Sequence, residues 1–349
     1  MTMAGKFTAL LVLVLCHQAH SGLLNIFDSS VDYDLADSID AVFGAVMNDM
    51  KALLRGASSA PIEEDVTFWC GKRGSPTLKQ TYLNDPNLSD KINLNGSITF
   101  ITHGWLDNVT RNWFQNMAQD VLTYSDTNVC GVNWAHLAQF NYYTAAINHT
   151  VLVSDYLTTF IRYINGAGIP LEKITLVGHS MGAQISGQTG NNLGGQIAKI
   201  YGLDPAGPCF TMPIDRGLRY RLDRSDAKFV QTIITSRGTI GVAFGDGHEN
   251  FYPNGGASPQ TNCILPLTSD AEFYDQIMCS HLHATSLFRY ALNPAIQFKS
   301  RKCGSYASFM LKLCFLNEQN LLGVYSKKSS GDYYLQTSAV APYNRPLLI

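Results

Sequence analysis

The sequence carries almost no net charge: 25 Lys and Arg stand against 27 Asp and Glu, a formal −2. That balance supplies neither the basic field that draws nucleic acid nor a long acidic tail. No apolar run is long enough to span a bilayer. The nearest is residues 7–16, directly after Lys6 and followed by Ala19-His20-Ser21. A short apolar run behind a cation, ending in small residues where a signal peptidase inspects the chain, predicts a signal peptide over residues 1–21. The expected mature chain is secreted and soluble, and starts near Gly22. CxxC pairs are also missing, which argues against a structural zinc site. There is no internal repeat and no low-complexity tract.

The residues that are present suit an exported globular protein. Of the eight cysteines, Cys16 falls in the signal; Cys70, Cys130, Cys209, Cys263, Cys279, Cys303 and Cys314 remain. An oxidising compartment favours disulfides among them, and the odd number leaves at least one thiol free or bonded to another chain. Four glycosylation sequons, at Asn87, Asn95, Asn108 and Asn148, fit the same compartment. Residues 22–64 differ in character from the rest of the chain. They begin acidic, carry an amphipathic helical pattern around 39–54, and end in Gly56-Ala57-Ser58-Ser59-Ala60-Pro61. This predicts an N-terminal extension or pro-segment over 22–64, joined by a linker to one main domain over 65–349.

Within that domain, β-branched and aromatic runs at 97–102, 129–134, 174–177, 197–203 and 229–235 read as strands. Helical patterns at 142–164 and 181–193 lie between them. Alternation of this kind predicts an α/β fold, a mostly parallel central sheet with helices on both faces.

The strongest chemical signal is Gly178-His179-Ser180-Met181-Gly182. It follows the buried-strand run Ile174-Thr175-Leu176-Val177 and precedes a helical pattern, the context that G-x-S-x-G needs. The glycines permit a sharp turn that thrusts the Ser180 hydroxyl above the sheet, and the next helix aims its positive end at the site. A serine hydroxyl needs a base, and the base needs a carboxylate to orient it, in the chain order Ser, acid, His. Asp204 is the acid candidate, because it directly follows the strand at 197–203. An ordinary Asp-Pro turn at Asp204-Pro205 is the competing account. His248, His281 and His283 all come late enough to be the base. His248 lies in a Gly-rich loop, and the other two open a helical pattern at 284–292. The residues alone do not separate them.

Several motifs taken together resemble the pancreatic-lipase family, whose members include triacylglycerol lipases and secreted phospholipases A1. They are Thr102-His103-Gly104-Trp105, the serine motif continued to Ala183, Gly202-Leu203-Asp204-Pro205-Ala206-Gly207-Pro208, Asp226-Ala227, Phe251-Tyr252-Pro253-Asn254-Gly255-Gly256, and Cys279-Ser280-His281. The resemblance runs from about 66 to 314. It implies an α/β-hydrolase fold with Ser180 as nucleophile, Asp204 as acid and His281 as base. It also implies an oxyanion hole built from the backbone amides of Met181 and Trp105. Disulfides Cys263–Cys279 and Cys303–Cys314 come with the same resemblance. Cys70–Cys130 is a candidate third bond because both residues lie in predicted strands.

The resemblance further implies a lid over 264–278, mixing Leu265, Leu267, Phe273, Ile277 and Met278 with Asp270, Glu272 and Asp275. A segment of both characters can cover an apolar pocket in water and turn toward lipid. A disulfide-pinned surface loop without gating is the competing account. Asp223 and Asp226, in Arg221-Leu222-Asp223-Arg224-Ser225-Asp226, resemble a structural calcium segment. A solvated acidic turn ion-paired to Arg221 and Arg224 is the alternative there. Two positions depart from the family pattern: Gln184 stands where a histidine is common, and Ser236 interrupts a stretch that often reads Ile-His-Thr. Neither is expected to touch the triad. The C-terminal β-sandwich of the digestive lipases is not expected.

The resulting expectation is a serine hydrolase of lipid carboxylic esters that needs no cofactor. Its partner would be a lipid substrate at a membrane, micelle or emulsion surface, with no nucleic acid involved. A lid shorter than in the digestive lipases leans toward phospholipase A1. The rival from another class is a non-catalytic lipid or yolk-type carrier of the same fold, and the intact Ser180, Asp204 and His281 weigh against it.

Overall fold

Alternating apolar runs and helical stripes produce a single sheet in the computed structural model, which describes residues 60–264 and 270–345. The strands are β1 (Thr67–Lys72), β2 (Ser75–Thr81), β3 (Ser97–Thr102), β4 (Thr127–Asn133), β5 (Ile174–His179) and β6 (Lys199–Leu203). They continue with β7 (Phe229–Ile233), β8 (Glu249–Pro253), β9 (Lys299–Lys302), β10 (Gln319–Leu321) and β11 (Gly331–Leu335). Their order across the sheet is β10-β9-β11-β8-β7-β6-β5-β3-β4-β1-β2. From β4 through β3, β5, β6, β7 and β8 to β11, every pairing is parallel. Antiparallel strands close both edges: β1 and β2 beyond β4, β9 and β10 beyond β11. The predicted strands all form, with ends moved by a few residues.

Four long helices cover the sheet: α1 (Asn112–Tyr124), α2 (Thr150–Gly166), α3 (Met181–Asn192) and α4 (Asp270–Ala291). Alternation along the strands explains why both faces are covered. Ile98 and Phe100 of β3, with Ile174 and Leu176 of β5, pack with Leu157, Phe160 and Ile161 of α2 and Ile185 of α3. Their neighbours Ile101 and Val177 join the opposite cluster, with Phe114, Met117 and Val121 of α1 and Ala284, Leu287 and Phe288 of α4. Successive side chains of one strand therefore feed two cores. The fold is an α/β hydrolase, as expected.

One helix expectation is refined and one corrected. The helix expected over 142–164 forms and runs to Gly166, with a π turn at Ala145–His149 inside it before α2. The helical pattern at 284–292 belongs to a helix that starts far earlier, at Asp270, with buried positions recurring at Ile277, Ala284, Leu287, Phe288 and Ala291. That spacing is the 3.6-residue stripe of one continuous helix. Much of the expected lid segment is thus the first part of α4, while 265–269 lie outside the described residues. The expected signal peptide and residues 22–59 of the expected extension also lie outside them.

Candidate active site

Glycine decides the geometry of the turn between β5 and α3. A Cβ on Gly178 would come within 2.2 Å of the Gly182 carbonyl oxygen, and one on Gly182 within 2.2 Å of that of Thr102. The absence of both side chains lets β5, α3 and the end of β3 meet around Ser180. Ser180 itself holds φ 57°, ψ −123°, a conformation that a non-glycine residue keeps only when its surroundings enforce it. Here the enforcement includes Ser180 N donating to Leu203 O at 3.0 Å and Ala206 N donating to Ser180 O at 3.2 Å. The turn is therefore stitched to the end of β6 on both sides, and α3 starts at Met181 with its amide end toward the serine.

Asp204 stands next to it because β5 and β6 are paired neighbours, with His179 opposite Leu203. The aspartate is fully buried. Its Oδ1 accepts from Thr235 N at 2.8 Å and Ser236 N at 3.1 Å. Its Oδ2 accepts from His281 Nδ1 at 2.6 Å. A buried carboxylate with charge-assisted donors on both oxygens is held in one orientation. His281 comes from the middle of α4, two residues after the Cys263–Cys279 disulfide, and its backbone carbonyl accepts from His179 Nε2 at 3.1 Å. Asp204 and His281 are thus joined by a hydrogen bond beyond the end of β6, and Ser180 stands at the end of the neighbouring strand β5.

The other two histidines are excluded by position. His248 Nδ1 accepts from Val230 N at 3.0 Å, at the far end of β7 from Asp204. His283 is buried edge-on against Tyr343, ring centroids 4.7 Å apart, and burial pulls its pKa down to about 3. A neutral, enclosed imidazole of this kind belongs to the core.

The expectation that Ser236 stays clear of these residues is wrong. Its hydroxyl donates to Asp204 Oδ2 and lies 3.3 Å from His281 Nδ1. The loop after β7 carries it there, so the sequence gap of 32 residues hides the contact. Gln184 does stay clear. Its amide instead bridges two loops, donating to Ala206 O at 2.6 Å and accepting from Leu222 N at 2.7 Å.

The segment after β3 reaches the serine from the other side. Gly104 lies so close that an added Cβ would sit 2.9 Å from Ser180 Cβ. His103 fixes the approach: its Nδ1 donates to Gly104 O at 2.9 Å and its Nε2 accepts from Trp134 N at 3.1 Å. Burial draws the His103 pKa down to about 4, which keeps the ring neutral and able to play both parts. In the sequence His103 is visible only as part of a motif, without a role. The Trp105 indole donates to Phe140 O at 2.7 Å.

The disulfides Cys263–Cys279, Cys303–Cys314 and Cys70–Cys130 are all formed, the last directly across β1 and β4. Cys209 is the free thiol among the described residues. Of the sequon asparagines, Asn87, Asn95 and Asn148 are exposed and Asn108 is half-buried, its Oδ1 accepting from Thr110.

Asp223 and Asp226 are buried rather than solvated, and the ion pairs go elsewhere: Arg221 to Asp215 and Asp246, Arg224 to Asp246. Asp223 Oδ1 accepts from Ser225 N at 2.7 Å, and Asp226 Oδ2 from Asp223 N at 2.9 Å. Their remaining oxygens, Asp223 Oδ2 and Asp226 Oδ1, are buried without a hydrogen-bond partner. Burial, with the Asp223 charge adding to it, pushes the Asp226 carboxyl up to about 8. Two orphaned carboxylate oxygens in one turn fit a hard cation.

The sequence model of the family described as Lipase matches residues 47–343. Pancreatic lipase-related protein 2 of Bos taurus is 32% identical over 230 residues, which cover 62% of this chain and 48% of that protein. Lipase member H of Danio rerio is 32% identical over 244 residues, 69% of this chain and 52% of that one. Phospholipase A1 member A of Rattus norvegicus is 28% identical over 307 residues, 83% and 64%. The chain spans about half the length of the first of these relatives.

Proposed function

The chain belongs to the lipase family, and on that premise we propose that it is an exported serine hydrolase of lipid carboxylic esters. The observation that carries the reading is the 2.6 Å bond between Asp204 Oδ2 and His281 Nδ1, made beside the strained turn that presents Ser180.

In this reading Ser180 Oγ attacks the ester carbonyl carbon, and His281 accepts the hydroxyl proton as the bond forms. Asp204 holds the imidazole in the tautomer whose Nδ1 carries hydrogen, and it balances the positive charge that develops. The amides of Met181 and Trp105 donate to the oxyanion, and each such donor contributes ~10²–10³ in rate. The tetrahedral intermediate collapses, the alcohol leaves with the proton from His281, and the acyl group stays on Ser180. Water, deprotonated by the same histidine, then attacks the acyl-enzyme and releases the fatty acid. Every step is proton or acyl transfer, so the chain's own side chains suffice. Asp223 and Asp226, in the turn before β7, would hold a structural calcium ion, whose charge would offset that of their buried carboxylates.

Three disulfides and exposed sequon asparagines support export and glycosylation. The helical start of α4 at residues 270–278 is the element to move if the segment gates access. The substrate is settled by hydrolysis of emulsified triacylglycerol beside phosphatidylcholine vesicles, with Ser180→Ala as control. Glyceride turnover abolished in the variant makes the protein a lipase, and release of only the first acyl chain of phosphatidylcholine makes it a phospholipase A1. No turnover of either by the folded chain would overturn the enzyme reading in favour of a lipid carrier.

A further inference from the structure

Among the described residues, the largest concentration of exposed apolar side chains lies at the β9–β10 edge of the sheet, five strands from the Ser180 turn. Between the short helix Tyr306–Met310 and β10, Leu311 is 69% exposed, Leu313 73% and Leu316 84%, with Phe315 and Met310 exposed beside them. Solvated singly such residues need no explanation, but five within seven positions mark an interaction surface.

The loop is held out rather than left slack. Phe309 and Cys314 are buried at its base, and the Cys303–Cys314 bond ties the returning strand to the end of β9. The Arg301 guanidinium donates to the carbonyls of Phe315 and Asn317. Leu313 N donates to Ser308 O at 2.9 Å, and Lys312 turns through φ 58°. Each end is thus fixed by a covalent bond, a buried side chain or hydrogen bonds, and the leucines between them have no cover among the described residues.

The tip itself carries charge of one sign: within residues 309–317 the charged side chain is the exposed Lys312. The nearby acids are engaged: Glu318 accepts from Ser329 Oγ at 2.9 Å and Tyr333 OH at 3.1 Å, and Asp332 accepts from Asn250 Nδ2 at 2.9 Å. A protruding leucine and phenylalanine tip with Lys312 among its apolar side chains matches a fluid acyl layer beneath anionic headgroups. It matches a protein partner less well, since such contacts centre on Trp, Tyr and Arg seated in fixed pockets.

We propose that the disulfide-closed loop carrying Leu311, Leu313, Phe315 and Leu316 inserts into lipid surfaces and docks this chain on anionic membranes. The docking does not need the hydrolase reading, and its test is separable from it.

Partition of the full chain onto sedimenting vesicles of phosphatidylcholine, with and without phosphatidylserine, is measured for the wild type and for Leu313→Asp/Leu316→Asp. The double variant should bind at least about tenfold more weakly, since two large apolar side chains are withdrawn from the lipid. Circular dichroism and hydrolysis of a soluble short-chain ester should be unchanged. Lys312→Glu should weaken binding only to the phosphatidylserine vesicles, and added salt should do the same to the wild type. Equal partition of wild type and double variant overturns the proposal, as does a wild type that binds neither vesicle. A wild type that sediments as a dimer, and becomes monomeric in the double variant without a change in vesicle binding, overturns it in favour of a second copy as the occupant. Loss of soluble-ester hydrolysis in the wild type would count against the hydrolase reading and leave the docking result standing.

Discussion

Ser236 Oγ lies 3.3 Å from His281 Nδ1, and both groups donate to the same oxygen of Asp204. Asp204 Oδ1 is meanwhile occupied by the backbone amides of Thr235 and Ser236. The loop after β7 therefore surrounds the carboxylate on which His281 depends, and the hydroxyl of Ser236 acts on the reaction only through it.

Ser236→Ala removes one donor to a buried carboxylate while keeping its backbone donors. A hydrogen bond to a charged group contributes ~1.5–3 kcal/mol, so kcat should fall roughly 10- to 100-fold. KM should stay within about twofold, because the side chain touches no substrate in this account. Ser236→Thr, which retains the hydroxyl, should recover most of the rate. A raised KM with kcat intact would contradict a positioning role.

Histidine substitutions separate the base from a core residue. His281→Ala should lower kcat by about 10⁶, and combining it with Ser180→Ala should cost little more, because the pair acts as a unit. His283→Ala should leave kcat within a few-fold of wild type while lowering the thermal midpoint, since it opens a cavity against Tyr343. Steady-state kinetics and thermal unfolding of the two variants check this, and the reverse pattern would exchange the assignments.

The nucleophile is legible in the sequence because its context is local: a buried strand, two obligatory glycines and a helix start, all within 174–193. Asp204 is half legible. Its place after a strand is clear, but a turn and an acid look alike until β5 and β6 are paired. The choice among three histidines is not legible from the residues, because the partnership between His281 and Asp204 spans 77 positions. Only the motif around Cys279 points to it. Ser236 stands out as a departure from the family pattern, yet its contact stays hidden, since a loop's return to a strand end leaves no periodic trace. The true start of α4 is hidden too, because acidic positions at 270, 272 and 275 precede the stripe that begins at Ile277.

Moderate acid should destabilise the fold. Burial holds His103 at about 4, His283 at about 3 and His179 well below 6.5. Unfolded, these rings titrate near 6.5, so below that pH the unfolded state binds protons that the folded state refuses. Each ring then costs about 1.4 kcal/mol per pH unit until its folded pKa is reached. Asp107 and Asp226 oppose this: burial raises their carboxyls to about 6 and about 8, so each favours the folded state as pH falls from that value toward 3.8. The three rings outweigh the two carboxyls between pH 7 and 5, and the urea midpoint should be lower at pH 5 than at pH 7. An equal or higher midpoint at pH 5 would contradict the neutral-histidine account.

Removal of calcium tests the buried acidic turn. If the ion holds Asp223 Oδ2 and Asp226 Oδ1 together, EGTA should lower the thermal midpoint by several degrees, and excess calcium should restore it. Asp223→Asn/Asp226→Asn, which needs no counter-charge, should make the midpoint insensitive to both. A wild-type midpoint unmoved by EGTA and by calcium would contradict the site.

The most direct test of the central claim is labelling of the intact, folded chain with a fluorophosphonate, followed by mass mapping of the modified peptide. The account predicts one adduct per chain on Ser180, abolished in Ser180→Ala and greatly slowed in His281→Ala. A folded chain that takes up no label, or takes it up on another serine, would contradict it.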